Sequence, residues 1–150
     1  MQFPANFFSK RARILLVLVY SAEVCLVKQK VLIVDDEALL VRTLSQAFRD
    51  SGYRVTACAS AEEAEAVLKR DRDFDLLLLD YRLPGKTGLD LLESAGPLPG
   101  TRVVLMTAYG TAEIEEKSRA LGVDLYLKKP FDLGSLLSQA SSLLEKGAGS

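Results

Sequence analysis

Residues 76–92 read LLLLDYRLPGKTGLDLL, and this stretch decides which fold the chain can adopt. Four consecutive leucines end at Asp80, and such a continuous apolar run is typical of a central strand covered by helices on both faces. Pro84 and Gly85 then mark a turn, and the interval before the next apolar run is long enough for one helix. The stretch therefore predicts a buried strand that ends in a carboxylate and leads into a helix.

The same unit recurs from residue 31 onward. The apolar runs begin 22 to 26 residues apart, and each interval fits one helix and two short turns, the length that a parallel crossover requires. The chain therefore predicts an α/β, doubly wound domain with a five-stranded parallel sheet. The predicted strands are Val31–Asp35, Arg54–Ala59, Leu76–Asp80, Arg102–Thr107 and Asp124–Lys128.

Local signals delimit the predicted helices. Ser60 and Glu63 form a capping-box pattern, and Asp132 stands where it can cap the last helix. Gly52 and Gly122 stand where a left-handed residue ends a helix. These signals agree with a helix in each interval between the strands.

Composition limits the chemistry. The chain has 150 residues, of which 49% are apolar and 26% charged, as expected for one globular domain. It contains no histidine, which excludes Ser-His-Asp and Cys-His relays, and two cysteines cannot complete a Cys/His zinc site. Cys25 and Cys58 are expected to be small apolar residues rather than reactive thiols.

The N-terminal residues differ in charge from the rest of the chain. Residues 1–30 carry a net charge of +4, whereas residues 31–150 carry −5 and lack the basic patch of a nucleic-acid-binding protein. Three cations precede a short apolar run at Ile14–Tyr20, an order that resembles a signal peptide, but the run is too short to span a membrane. Two further interpretations stay open: a segment that docks on the domain, a partner or a membrane surface, or a translation start assigned too far upstream.

These features divide the chain into three parts. We assign residues 1–28 to an N-terminal extension, residues 29–146 to the α/β domain, and residues 147–150, with the sequence GAGS, to a frayed tail. No internal repeat or linker interrupts the domain.

Polar residues cluster at the predicted carboxyl ends of four strands. In an open parallel sheet these ends meet at one edge, where ligands bind. Clustered carboxylates need a cation to remain ionised together, and their oxygens suit Mg²⁺ completed by phosphate oxygens. A nearby lysine supplies a point charge for phosphate. The candidate residues are Asp35, Asp36, Asp80, Thr107, Lys128 and Lys129.

Each candidate also has a structural interpretation when it is taken alone. Asp36 could cap the first helix, Asp80 could turn the chain after its strand, and Thr107 could satisfy an amide at a strand end. Pro84–Thr87 resembles the end of a phosphate-binding loop, but that motif requires glycine where Asp80 stands. The presence of all the polar residues at one sheet edge favours a functional site.

Four segments carry a resemblance to a known family: VLIVDDE at 31–37, the stretch at 76–92, VVLMTAYG at 103–110 and LYLKKPF at 125–131. In this order they resemble the motifs of bacterial two-component response-regulator receiver domains, over about residues 30–146. The resemblance implies a flavodoxin-like sheet with strand order 2-1-3-4-5 and five helices. A stand-alone, chemotaxis-regulator-like receiver is expected, because the chain ends directly after the fifth predicted helix.

The resemblance also implies roles for the candidate residues. Asp80 would be the phosphoacceptor, which takes a phosphoryl group from a kinase phosphohistidine by in-line transfer. Lys129 holds the lysine position of the family's K-P-F motif and would neutralise the phosphoryl oxygens, while Thr107 would donate its hydroxyl to one of them. The Lys129–Pro130 peptide bond is expected to be cis.

A metal site and a switch are implied in the same way. The Mg²⁺ ligands would be Asp36, Asp80 and the backbone carbonyl of Arg82, with Asp35 acting through water. Tyr126 resembles the family's aromatic switch and would turn inward behind Thr107 after phosphorylation. The surface of the fourth helix, fifth strand and fifth helix would then change shape.

The expected partners are a sensor histidine kinase or a phosphotransfer protein, and a downstream target protein that binds this surface. No direct contact with nucleic acid is expected, the expected location is cytoplasmic, and a phosphorylation-dependent homodimer stays open. The chain is not expected to be an enzyme beyond self-dephosphorylation. This reaction is expected to be slow, because Arg82 and Tyr109 flank the path of the hydrolytic water.

Two other classes stay open. The chain could be the severed receiver of a larger transcriptional regulator with a DNA-binding or ATPase output domain. It could also be a Mg²⁺-dependent phosphohydrolase that uses Asp80 as nucleophile. Such enzymes typically need a second acid two residues later, where this chain has Arg82.

Overall fold

A computed structural model of the chain describes Lys10 and residues 28–149, with side chains up to residue 146. One sheet contains five parallel strands in the order β2-β1-β3-β4-β5, which confirms the predicted doubly wound fold. The strands are β1 (Lys30–Val34), β2 (Arg54–Cys58), β3 (Leu76–Asp80), β4 (Arg102–Thr107) and β5 (Leu125–Lys128). The five helices that follow them are α1 (Ala38–Asp50), α2 (Ala61–Arg70), α3 (Gly88–Ala95), α4 (Ala112–Ala120) and α5 (Leu133–Gly149).

Three strands differ from their predicted bounds by one residue. Lys30 extends β1 at its start, whereas Asp35, Ala59 and Asp124 lie just outside the strands. The amide of Asp35 still donates a hydrogen bond to the carbonyl of Cys58 at 3.1 Å, so the chain leaves the sheet only after this bond. Asp35 is therefore the first residue of the loop that follows β1.

Alternate residues of the central strands pack into two separate cores. Val31 and Ile33 of β1 contact the core that includes α1 and α5, whereas Leu32 and Val34 contact the core that includes α2 and α3. All four side chains are fully buried. Burial on both faces explains why the central strands are continuously apolar instead of alternating.

Side-chain caps begin two helices largely as predicted. Ser60 accepts a hydrogen bond from the amide of Glu63 at 3.2 Å, and Asp132 accepts one from the amide of Ser135 at 2.8 Å. The reciprocal half of the predicted capping box is displaced, because the Glu63 carboxylate accepts from the amide of Ala59 instead of Ser60.

Glycines end two helices, and the last helix extends further than expected. Gly52 and Gly122 have φ angles of +94° and +89°, which confirms their predicted left-handed role. The backbone of α5 is helical through Gly149, which differs from the frayed tail expected at 147–150. Helical hydrogen bonds are local, so they extend a helix without tertiary contacts.

Other predictions concern residues beyond this description. The predictions made for the N-terminal extension and for Cys25 concern residues outside the described part of the chain. Lys10 is the exception. Within the described part of the chain, no helix is long and apolar enough to cross a membrane.

Gly88, the first residue of α3, allows this helix to approach the end of β3. A Cβ atom at Gly88 would lie 2.4 Å from the carbonyl oxygen of Asp80 and 2.9 Å from Cγ of Leu79. No side chain fits in that space, so glycine permits the tight connection that holds the loop between β3 and α3 against Asp80.

Candidate functional site

The register of the sheet brings the predicted carboxylates together. Val34 of β1 pairs with Leu79 of β3, so Asp35 and Asp80 follow at the same level on neighbouring strands. One carboxylate oxygen from each of Asp35, Asp36 and Asp80 lies within 4.8 Å of the others. The three acids predicted from the strand ends therefore form one cluster.

The three carboxylates differ in burial. Asp35 and Asp80 are 1% and 6% exposed, whereas Asp36 is exposed to solvent. The helix α1 takes Glu37 as its N-cap residue, so Asp36 is not the cap that a structural interpretation suggested. Asp35 instead accepts a hydrogen bond from the Glu37 amide at 2.9 Å, which holds its side chain at the start of the loop.

Lys129 is the cation that faces this cluster. Its Nζ lies 2.9 Å from Oδ2 of Asp35 and 3.3 Å from Oδ1 of Asp80, and its side chain is 17% exposed. The neighbouring Lys128 is exposed, so the structure separates the two lysines at the end of β5. The Lys129–Pro130 peptide bond is cis, as predicted.

Burial and charge alter the acidity of the paired groups. Burial raises the pKa of Asp80 to about 6, and the negative charge of Asp35 adds to this, against the opposing effect of Lys129. For Lys129, burial acts to lower the pKa, but hydrogen bonding and attraction to Asp35 and Asp80 outweigh it and raise the pKa. One ammonium therefore balances only part of the charge of three carboxylates.

Thr107 stands at the end of β4, next to the acidic cluster. Its side chain is buried, and its Oγ1 accepts a hydrogen bond from the amide of Tyr109 at 3.2 Å. The structural interpretation of Thr107 as the partner of a nearby amide therefore holds in this structure. The hydroxyl still lines the same cleft as Asp80 and Lys129.

A cleft of about 350 Å³ opens above the strand ends. Asp80 lines this cleft, and Arg82 and Tyr109 stand at its rim, with the Arg82 guanidinium 5.5 Å from the centre of the Tyr109 ring. The Tyr109 ring is 74% exposed, so the pair flanks the cleft from the solvent side. The backbone carbonyl of Arg82 accepts no backbone hydrogen bond from any described residue, because its neighbours make the bonds of the turn to Thr87.

Tyr126 is turned inward against the loop between β4 and α4. A Cβ atom at Gly110 would lie 1.6 Å from the Tyr126 hydroxyl oxygen, so the ring occupies the space that a side chain would need. The hydroxyl is buried and has no hydrogen-bond partner among the described residues. Sequence reasoning identified Tyr126 but missed Gly110, because a loop glycine carries no signal of the ring packed against it.

Two residues of Pro84–Thr87, the stretch that resembles the end of a phosphate-binding loop, have local structural roles. Thr87 caps α3 and forms a capping box with Asp90, and Lys86 forms an ion pair with Glu65 of α2. Cys58 is buried, and burial raises the pKa of its thiol to about 11, which agrees with the predicted unreactive role.

Comparison with known families and structures agrees with this geometry. The family model described as "Response regulator receiver domain" matches residues 31–141. The crystal structure of a CheY-like response regulator receiver domain protein from Methanospirillum hungatei has a TM-score of 0.77 and 32% identity to this chain. The match covers 81% of this chain and 98% of that one.

Curated relatives of different lengths are similar to the same region. The transcriptional activator protein PfeR of Pseudomonas aeruginosa is 38% identical over 117 residues, which cover 78% of this chain and 38% of PfeR. Sporulation initiation phosphotransferase F of Bacillus subtilis is 32% identical over 112 residues, which cover 74% of this chain and 90% of that protein. The chain thus spans little more than a third of PfeR but nearly all of the phosphotransferase.

Proposed function

This chain belongs to the response regulator receiver domain family of two-component systems, and on that premise we propose that it accepts a phosphoryl group on Asp80. Asp35 and Asp80 are both buried carboxylates that contact Lys129, but only Asp80 of the two lines the cleft. This difference in access is the observation that carries the assignment. Asp35 is better suited to hold Lys129 than to meet a phosphodonor.

The proposed step is an in-line displacement at phosphorus. A carboxylate oxygen of Asp80 attacks the phosphorus of a phosphohistidine, a P–O bond forms, and the P–N bond breaks with its electron pair left on the histidine nitrogen. Asp80 acts as an anion, so no general base is required, and the histidine must come from another protein because this sequence contains none. Lys129 neutralises charge on the phosphoryl oxygens, and Thr107 donates its hydroxyl to one of them.

The donor set fits Mg²⁺. Three carboxylates and the backbone carbonyl of Arg82, which accepts no backbone hydrogen bond from the described residues, offer only hard oxygen ligands. We assign direct ligation to Asp36, Asp80 and the Arg82 carbonyl, with Asp35 acting through water. When bound, Mg²⁺ supplies positive charge that keeps Asp80 ionised and neutralises phosphoryl oxygens.

The proposed switch links the phosphorylated edge to a surface. A phosphoryl group on Asp80 would accept a hydrogen bond from the Thr107 hydroxyl, whose oxygen accepts one from the Tyr109 amide, and would thereby pull on the loop that holds this amide. Rearrangement of the loop after Thr107 would alter the space that Tyr126 occupies beside Gly110. The surface of α4, β5 and α5 responds, because Tyr126 lies in β5 and the loop leads into α4.

The proposed partners follow from the receiver chemistry. A sensor histidine kinase or a phosphotransfer protein supplies the phosphoryl group in the cytoplasm, and a target protein binds the surface of α4, β5 and α5. The net charge of −5 over residues 31–150 disfavours direct contact with nucleic acid. The 32% identity to sporulation initiation phosphotransferase F supports a role as a relay intermediate.

Intact-mass measurement after incubation with acetyl phosphate tests this function. We expect one phosphate adduct with Mg²⁺, little or none with EDTA, and none for Asp80→Asn under either condition. Asp50→Asn, an exposed acid at the end of α1, is the matched control and should form the adduct normally. A metal-dependent adduct that survives Asp80→Asn would overturn the proposal.

A further inference from the structure

A second cluster of charges lies at the opposite edge of the sheet, where β1 and β3 begin. Asp71, Asp73 and Asp75 lie within five residues, in the loop between α2 and β3. Carboxylates so close together repel one another unless cations lie among them. Lys30 of β1 pairs with Asp71, and this leaves Asp73 and Asp75 to be balanced by another cation.

Lys10 of the N-terminal extension supplies that cation. Its Nζ lies 2.9 Å from Oδ1 of Asp73 and 3.1 Å from Oδ1 of Asp75, and it donates a hydrogen bond to the carbonyl of Phe74 at 3.3 Å. An ammonium group has three N–H donors, and these three contacts match them. Burial acts to lower the pKa of Lys10, but the two carboxylates outweigh it and raise the pKa.

Hydrogen bonds to the sheet fix the loop at residues 71–75 in position. Oδ2 of Asp75 accepts a hydrogen bond from the amide of Lys30 at 2.8 Å, and the carbonyl of Asp75 accepts one from the amide of Arg102 at 2.9 Å. Asp75 is therefore fixed between the starts of β1 and β4 while its other carboxylate oxygen faces Lys10. An acceptor of this kind is already in position before the cation arrives, which reduces the entropy lost on binding.

We propose that the loop at residues 71–75 is a docking site within this chain for its N-terminal extension, with Lys10 as the anchor. The chain between Lys10 and Lys28 can reach up to about 60 Å, so connectivity allows the contact. The site lies at the start of β3, about 17 Å of strand from Asp80 at the other end. The Lys10 contact thus lies at the opposite end of the strand from the acidic cleft. This inference does not depend on the proposed phosphoryl transfer.

Zero-length cross-linking of the full chain with a carbodiimide tests the proposal. The reagent converts a carboxyl group into an O-acylisourea. An adjacent amine then attacks the carbonyl carbon, forms an amide and releases the urea derived from the reagent. We expect a cross-link from Lys10 to Asp73 or Asp75, identified by peptide mass spectrometry. The Lys30–Asp71 pair is the internal positive control, because both residues belong to the folded domain. In a mixture of isotopically light and heavy chains, the Lys10 cross-link should join only peptides of the same label.

Two pairs of variants make the test specific. Lys10→Arg keeps the charge but lacks the reactive amine, so it should lose the cross-link, whereas Lys28→Arg should keep it. Lys10→Glu should speed amide hydrogen exchange in residues 71–76 by about twofold to fivefold, the range expected for loss of partly exposed ion pairs. Lys28→Glu changes the net charge equally but should leave that exchange unchanged, because Lys28 makes no ion pair among the described residues.

The outcomes separate clearly. A Lys10 cross-link within one chain, together with faster exchange in Lys10→Glu alone, supports the docking site. No Lys10 cross-link in a sample that contains the Lys30–Asp71 cross-link overturns it. A Lys10 cross-link found only between light and heavy chains also overturns it, because the extension would then bind a second copy.

Discussion

Lys129 decides how the three acids at the sheet edge share their charge. Its Nζ lies 2.9 Å from a carboxylate oxygen of Asp35 and 3.3 Å from one of Asp80, so a single ammonium group interacts with two buried carboxylates. Asp36 adds a third negative charge from the solvent side. Burial raises the pKa of Asp80 to about 6, and the negative charge of Asp35 adds to this, although Lys129 lies beside it. At neutral pH and without metal, ionised Asp80 makes the folded state less stable.

Asp80→Asn should stabilise the domain at pH 7.5 in EDTA. The pKa of Asp80 rises from 3.8 unfolded to about 6 folded, and two pKa units correspond to about 3 kcal/mol in the free energy of unfolding. Above pH 6 the acid is ionised in both states, so the folded state bears this penalty in full. At pH 4 the folded acid is protonated and the unfolded acid is close to its own pKa of 3.8, so most of the penalty is lost. Urea unfolding of both proteins at pH 7.5 and pH 4 measures the difference.

Two outcomes of this comparison would contradict the account. One is an Asp80→Asn variant that is less stable than the wild type at pH 7.5 in EDTA. The other is an equal gain at both pH values, which would indicate better packing instead of relief from charge. Asp50→Asn should change the free energy of unfolding little at either pH, since Asp50 lies at the exposed end of α1.

Arg82 and Tyr109 are expected to slow hydrolysis of the phosphorylated protein. Their side chains flank the cleft, with the guanidinium 5.5 Å from the ring centre, and we expect them to obstruct the path of attacking water. Arg82→Ala or Tyr109→Ala should speed phosphate loss by about threefold to tenfold, which corresponds to about 1 kcal/mol of barrier. Time courses of intact mass after removal of the donor measure the rate.

Leu39→Ala is the matched control for hydrolysis, because Leu39 is equally exposed but does not line the cleft. It should hydrolyse at the wild-type rate. Wild-type loss of phosphate within seconds would show that the two side chains do not obstruct water.

At the scale of elements, β5 and the loop between β4 and α4 share one space. The Tyr126 ring of β5 fills the volume beside Gly110, and Thr107 begins the same loop. Movement of the loop at Gly110 toward β5 therefore requires movement of the Tyr126 ring. This contact gives the proposed switch a physical basis, because two side chains cannot occupy the same volume.

Gly110→Ala should drive the Tyr126 ring outward. The new methyl group would lie 1.6 Å from the hydroxyl oxygen, and the ring is the movable partner. We expect a loss of about 1–3 kcal/mol in the free energy of unfolding. Burial raises the pKa of Tyr126 in the wild type, so spectrophotometric titration should show that pKa fall in the variant.

The control for this substitution is the same change in a Tyr126→Ala background. With no ring beside residue 110, Gly110→Ala should cost little and leave the titration of the other tyrosines unaltered. An equal cost in both backgrounds would show that the loop backbone, and not Tyr126, opposes the methyl group.

The sequence predicts elements well because their signals are local and periodic. Asp35, Asp80 and Thr107 could be placed together, since the ends of parallel strands meet at one edge whatever the loops do. The contact of Tyr126 with Gly110 and the anchoring of Lys10 at Asp73 could not be predicted. Each contact joins segments that are distant in sequence. Neither a loop glycine nor an isolated lysine belongs to a periodic pattern from which its contact partner could be predicted.

At the scale of the whole molecule, the parallel sheet separates two charged edges. Its carboxyl edge holds Asp80 and the cleft, and its amino edge holds the acidic loop that Lys10 contacts. Both edges are acidic and both hold cations, Lys129 at the carboxyl edge and Lys10 with Lys30 at the amino edge. Lys10 therefore contacts the domain at the end of the sheet opposite the site that we assign to phosphoryl transfer.

Mapping of the modified residue distinguishes Asp80 from the neighbouring acids Asp35 and Asp36 as the phosphoacceptor. Borohydride reduces an aspartyl phosphate to homoserine, which peptide sequencing by mass spectrometry assigns to one position. After incubation with acetyl phosphate and Mg²⁺, we expect homoserine at position 80 and unaltered aspartates at positions 35 and 36. Homoserine at position 35 or 36, or a phosphate adduct with no homoserine at position 80, would contradict the assignment of Asp80.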